Sequence, residues 1–122
     1  MEKKIESLQR KIERLKEKLV AIGDLRPGSL SEQYNVCGNP NCRCKANPPQ
    51  KHGPYHQLSW SRNGKSRTRF VKKPQLPLIH AQMKNYARFQ DLTNQWIDTS
   101  IELCDLKVKL AAEKTAKREK ST

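Results

Sequence analysis

Tyr55-His56-Gln57-Leu58-Ser59-Trp60-Ser61-Arg62-Asn63-Gly64-Lys65-Ser66-Arg67-Thr68-Arg69-Phe70-Val71 is the stretch that decides the fold. Asn-Gly set between two runs rich in aromatic, hydroxyl and β-branched residues signals a β-hairpin. Two registers are open. A two-residue loop puts Arg67 and Arg69 on the face of Leu58 and Trp60. A three-residue loop, Arg62-Asn63-Gly64 with Gly64 left-handed in a bulge, pairs Trp60 with Ser66 and His56 with Phe70. The second register gathers His56, Leu58, Trp60, Thr68 and Phe70 on one face. It leaves Tyr55, Gln57, Ser59, Arg67, Arg69 and Val71 on the other. A half-buried sheet requires that kind of sorting, so the three-residue register is expected. A short strand over residues 29–36 would join the hairpin. Ile79, Met83 and Tyr86, at the start of the next helix, would cover its apolar face.

Helical patterns lie on both sides. Ile5, Leu8, Ile12, Leu15, Leu19 and Ile22 follow a strict 3,4 heptad seam with Lys, Arg and Glu between them. Gly23 is a natural stop and Pro27 forbids continuation. After Pro77, a suitable first-turn residue, neither Gly nor Pro recurs, and a long helix is expected to about Lys117. Its seam is Phe89, Leu92, Trp96, Leu103, Leu106 and Leu110, with Thr99 at one seam position; Ile97, Ile101 and Val108 widen the stripe. A 20-residue helix is marginal alone in water and must pair. An antiparallel fold-back is favoured, with Ile22 near Phe89 and Ile5 near Leu110. Self-association between chains is the alternative.

Between the helices, Cys37-Gly38-Asn39-Pro40-Asn41-Cys42-Arg43-Cys44 places three thiols in eight residues. Gly, Pro and Asn supply the turns that let those thiols converge. Tetrahedral zinc needs one further ligand. His52, beside Gly53-Pro54 at the mouth of the hairpin, is the first choice and His56 the second. Few apolar side chains serve about 50 residues here, so a structural Zn2+ on Cys37, Cys42, Cys44 and His52 would supply the missing stability. Cys104, beside Leu103, is expected as a small packed hydrophobe.

The chain has 122 residues, 25 Lys plus Arg and 12 Asp plus Glu, a net charge of +13. Residues 23–75 hold ten of the bases and two of the acids, so the middle carries most of the imbalance. Self-repulsion there costs stability unless an anion relieves it. Arg43, Lys45 and Lys51 fall in the cysteine loop, Arg62, Asn63, Lys65, Arg67 and Arg69 in the hairpin, and Lys72 and Lys73 just after it. Such a cluster suits phosphates, and a two-stranded ribbon suits a DNA major groove. DNA is therefore expected ahead of RNA, although Tyr55 facing outward suits an unpaired base and Gln57 is a further contact. An enzyme is not expected: no paired carboxylates, nucleophile elbow or phosphate-cradling glycine loop is present, and Asp24 and Glu32 are the only acids in the middle.

Gly28-Ser29-Leu30-Ser31-Glu32-Gln33-Tyr34, the Cys-Gly-Asn-Pro-Asn-Cys-Arg-Cys loop, His52-Gly53-Pro54-Tyr55 and Leu58-Ser59-Trp60 together resemble a family of short prokaryotic proteins of unknown function. The resemblance spans about residues 26–100. It implies aromatic residues where this chain has His56, which favours His52 as the ligand. It also implies neighbours among mobile-element genes, and so a role as an accessory or regulatory factor. For the helical arms, a recombinase-type protein or a second copy of the chain is the expected protein partner.

The expected architecture is α+β, a small zinc-stabilised antiparallel β head between two coiled-coil-type helices. Residues 1–23 form the first helix, 24–75 the basic head, 76–117 the long helix and 118–122 a basic tail. No apolar run reaches a membrane-spanning length, and the N-terminus has no apolar stretch of the signal-peptide kind. A cytoplasmic, nucleoid-associated protein is expected. A coiled-coil interaction module with a structural zinc cap is the competing expectation.

Overall fold

The structure is a computed structural model; it describes residues 1–35, 39–42 and 52–121. The elements are α1 (Glu2–Val20), β1 (Ser29–Asn35), β2 (His52–Arg62), β3 (Lys65–Val71), a 3-10 turn (Lys73–Gln75) and α2 (Leu76–Ser121). The class is α+β. The chain divides into two compact units, Met1–Gly23 with Ala87–Thr122, and Asp24–Tyr86.

In the first unit the heptad positions of α1 meet those of α2. Ile5, Leu8 and Ile12 form a buried cluster with Leu103, and Trp96, Leu106 and Leu110 pack against it. Leu15, Leu92 and Thr99 are buried as well. Polar contacts give the direction: Lys4 Nζ lies 3.6 Å from Glu102 Oε1, and Lys16 Nζ lies 5.3 Å from the Trp96 ring centroid. Position thus rises along α1 as it falls along α2, the expected antiparallel fold-back. The Lys4–Glu102 pair is half exposed and contributes little; burial of the seam holds these helices together. α1 ends at Val20, with Ala21 as its C-cap, just short of the expected glycine stop.

In the second unit the strands form an antiparallel sheet in the order β1-β2-β3. Its β2–β3 turn corrects the expected register. Arg62 pairs with Lys65, Trp60 with Arg67, Leu58 with Arg69 and His56 with Val71, which leaves a two-residue loop. Asn63 has φ 53° and Gly64 has φ 75°. Two successive left-handed residues make a turn whose twist matches that of the flanking strands, and Asn-Gly is the pair that adopts it most readily. The turn's geometry outweighed the face sorting. Val71 thereby enters the core and Phe70 swings out to 64% exposure. Arg67 and Arg69 move to the face of Leu58 and Trp60.

That face meets the start of α2, as expected. Leu58, at 0% exposure, forms a core with Val71 and Ile79, flanked by Leu30, Trp60, Leu76 and Met83. The chain turns from β3 into α2 through Gln75. Its Oε1 accepts from the Lys72 N–H at 3.0 Å, and its own N–H donates to Lys72 O at 2.8 Å. Pro74, which has no donor to leave unpaired, sits within this turn.

Candidate functional site

The cysteine loop is described in part. Within 39–42, Asn39 Oδ1 accepts from the Asn41 N–H at 3.0 Å, and Asn39 O accepts from the Cys42 N–H at 3.2 Å. This tight asparagine turn delivers Cys42 to His52, the first residue of β2, with Sγ 3.0 Å from Nε2. His52 is held on its other side by strand pairing with Asn35 of β1. Just beyond it, Gly53 has φ 142°, and a Cβ there would come within 2.8 Å of Gln33 O. Glycine is what allows β2 to cross β1 so closely beside the histidine. Cys37, Cys44, Arg43, Lys45 and Lys51 lie outside the described residues. Among the described residues no group of three or more His, Cys, Asp or Glu side chains converges as a metal site. His56 lines a cleft with Tyr55 and Phe70.

Of the candidate phosphate contacts, Arg62, Lys65, Arg67 and Arg69 lie on the hairpin strands. Arg62 and Lys65 face each other across the turn and are both exposed. Like charges directly opposite in an antiparallel pair repel. Asn63 occupies the first turn position between them. Two strand positions inward, Arg67 lies opposite Trp60. Two guanidiniums lie over the Trp60 ring, that of Arg26 at 4.9 Å and that of Arg69 at 5.8 Å from its centroid. Arg26 donates its backbone N–H to Gln82 O at 3.2 Å, while its Nε is buried with no hydrogen-bond partner. Among the described residues no carboxylate forms an ion pair with Arg26, Arg62, Lys65, Arg67, Arg69, Lys72 or Lys73.

Two clefts border the end of β3. One, of about 580 Å³, is lined by Arg26, Arg69 and Lys72 together with Gln75, Gln82 and apolar side chains of β3 and α2. The other, of about 490 Å³, is lined by Pro54, Tyr55, His56, Phe70, Val71, Lys72 and Lys73. Neither contains a carboxylate. The outward sheet face beside the second cleft is small and polar, with Ser59 Oγ 3.5 Å from Thr68 Oγ1 and Ser61 Oγ 2.9 Å from Ser66 Oγ. Gln57 and Ser31 continue it across β2 and β1.

Arg26 and Phe70 are the members of this surface that sequence reasoning missed. Arg26 sits in an irregular segment before Pro27, where no periodicity assigns a face. Phe70 would have been found by weighting Asn63-Gly64 as a two-residue turn. Cys104 also departs from expectation. It is an exposed free thiol on α2, lining a groove with Trp96, Ile97 and Ile101.

A family model described as a domain of unknown function, DUF6788, matches residues 5–81. The match takes in most of α1, the whole sheet and the start of α2. No curated protein and no solved structure matches the chain. No helix among the described residues is long and apolar enough to cross a membrane.

Proposed function

Since the chain belongs to the DUF6788 family, whose name carries no activity, we propose its function from its own residues: a non-enzymatic nucleic-acid-binding protein that contacts phosphates through the basic hairpin. The observation that carries this is the cleft of Arg26, Arg69 and Lys72. Three cationic side chains line it and no carboxylate does. Cations grouped without a counter-charge are relieved by a bound anion, and a phosphate supplies one. Arg62, Lys65 and Arg67 extend the positive surface to the tip of the ribbon, which suits duplex grooves and favours DNA. In a gel-shift series, affinity for a duplex is expected to fall steeply with salt. No binding at low salt, or binding indifferent to salt, overturns the proposal.

A structural zinc on Cys37, Cys42, Cys44 and His52 belongs to the same proposal. Its support is the Cys42–His52 pair. Two ligands on a tetrahedral zinc, at about 2.3 and 2.1 Å from it, lie about 3.6 Å apart. The 3.0 Å pair needs to open by only a fraction of an ångström to admit the ion. Metal analysis of the purified protein tests this, with one zinc per chain expected.

A second reading, a coiled-coil interaction module, is favoured by one specific feature. Ile97, Ile101, Cys104 and Val108 repeat at heptad spacing on α2 and are exposed, a seam without a described partner. Its test is deletion. If removing residues 1–22 abolishes activity while alanine at Arg62, Arg67 and Arg69 changes nothing, the helices carry the function.

A further inference from the structure

We propose that the cleft between Tyr55 and Phe70 is a stacking site for an unpaired base of a nucleic-acid strand, and so that the protein prefers single-stranded over duplex segments. The inference rests on the nucleic-acid reading above and replaces its duplex expectation with unpaired strands as the preferred substrate class. Tyr55 and Phe70 are the exposed aromatic residues of β2 and β3, at 42% and 64% exposure. Their rings meet edge to face, with centroids 6.3 Å apart at 67°. An aromatic side chain as exposed as Phe70 gains little from folding. Here the two-residue turn placed it outward while its neighbour Val71 took the core position. The surface that results is an aromatic corner on an otherwise hydroxyl- and amide-bearing face, formed by Ser59, Thr68, Gln57 and Ser31.

The charge around the corner selects its occupant. Lys72 and Lys73 line the same cleft and no carboxylate does. Lys72 also lines the neighbouring cleft with Arg26 and Arg69. The strand end 70–72 is therefore bordered by a stacking surface on one side and a cleft lined by three cationic side chains on the other. A polynucleotide offers both complements, a base face and a phosphate, at each nucleotide. Duplex bases are already stacked and cannot present a face to Phe70. An unpaired base can, and every base has such a face, so the site is tolerant of sequence. The hydroxyls of this face pair with one another, Ser59 with Thr68 and Ser61 with Ser66, and keep further lone pairs that can accept from base edges of the following nucleotide.

The test compares the full chain on two probes at one fixed salt concentration, a 20-nucleotide oligo-dT and a 20-base-pair duplex. The expected result is that the single strand binds at least tenfold tighter. Replacing Phe70 by Leu keeps apolar bulk but removes the aromatic face, and should lower that preference by about tenfold, as should Tyr55→Ala. Phe70→Tyr should retain it. A circular dichroism melt of each variant separates lost stacking from lost folding. If a variant melts early, the Phe70→Tyr and Phe70→Leu pair still decides, since both keep a large side chain at an exposed position. Equal affinity for both probes, or a preference unchanged in Phe70→Leu, overturns the stacking site while leaving phosphate binding intact. Poly-L-glutamate of similar length displacing oligo-dT as well as unlabelled oligo-dT does also overturns it, because charge alone would then explain the surface. Failure of both probes to bind at low salt removes the nucleic-acid reading and this inference together.

Discussion

Phe70 and Val71 exchange the roles that face sorting assigns them, and the exchange can be measured. Val71 is buried at 6% exposure whereas Phe70 is 64% exposed. Phe70→Ala, although it removes a whole ring, should change unfolding stability by no more than about 0.5 kcal/mol. Val71→Ala should cost about 1–3 kcal/mol, and Leu58→Ala, at the fully buried centre of the same core, about 2–5 kcal/mol. Denaturant unfolding of the three variants reads the register directly: a larger loss at Phe70 than at Val71 would mean the other pairing. Gly53 admits a second test. With φ at 142° and Gln33 O in the space of a Cβ, Gly53→Ala should cost about 2 kcal/mol or more. It should also disturb His52, which alanine at most other exposed positions would leave alone.

Much of the element-level structure was legible because it rests on local rules. The 3,4 spacing of Ile5, Leu8 and Ile12 can face a partner only as a helix, and the matching spacing of Trp96, Leu103, Leu106 and Leu110 supplies that partner. The sheet's contact with Ile79 and Met83 followed from apolar content alone. The register was not legible by face sorting, since long arginines tolerate the inner face when they stack. Arg69 does so with its guanidinium over the Trp60 ring while the residue as a whole remains exposed. Turn chemistry, a two-residue matter, outranked the average polarity of seven-residue strands. The Arg26 stack was invisible for another reason, as it depends on a loop reaching back to Gln82 across more than 50 residues of sequence. For the helical pair the expected cost of Leu8→Ala is about 2–4 kcal/mol, with Leu8 at 6% exposure. Thermal melts should show it, and Ile101→Ala, on the exposed stripe of α2, should fall well short of it. A comparable loss at Ile101 would point to a second helix covering that stripe in solution.

For the whole molecule, size and charge set the expectations. A net charge of +13 on 122 residues gives any polyanion a large non-specific affinity. The informative quantity is therefore the slope of log affinity against log salt. If Arg62, Lys65, Arg67, Arg69, Lys72 and Lys73 meet phosphates, the slope should be about −4 to −5, since each contact on single or double strands contributes about −0.7 to −0.9. Paired alanines at Arg62 and Lys65 should make it shallower by about 1.5. A slope near zero would separate the cationic surface from binding. Zinc, if it holds the cysteine loop, should make the melting temperature depend on chelator, with a drop of roughly 10 °C or more after EDTA treatment. An unmoved melting curve in zinc-loaded protein would remove the metal from the account.

The opposed Arg62 and Lys65 have one more consequence. Two like charges held across a two-residue turn make the ribbon tip the place where folding works against itself, and a bound counter-charge reverses the sign of that local contribution. Ligand occupancy and local order are therefore linked. Amide hydrogens of residues 61–66 should exchange quickly in the free protein and slow measurably when a polyanion is present, even if no atom of the backbone changes position.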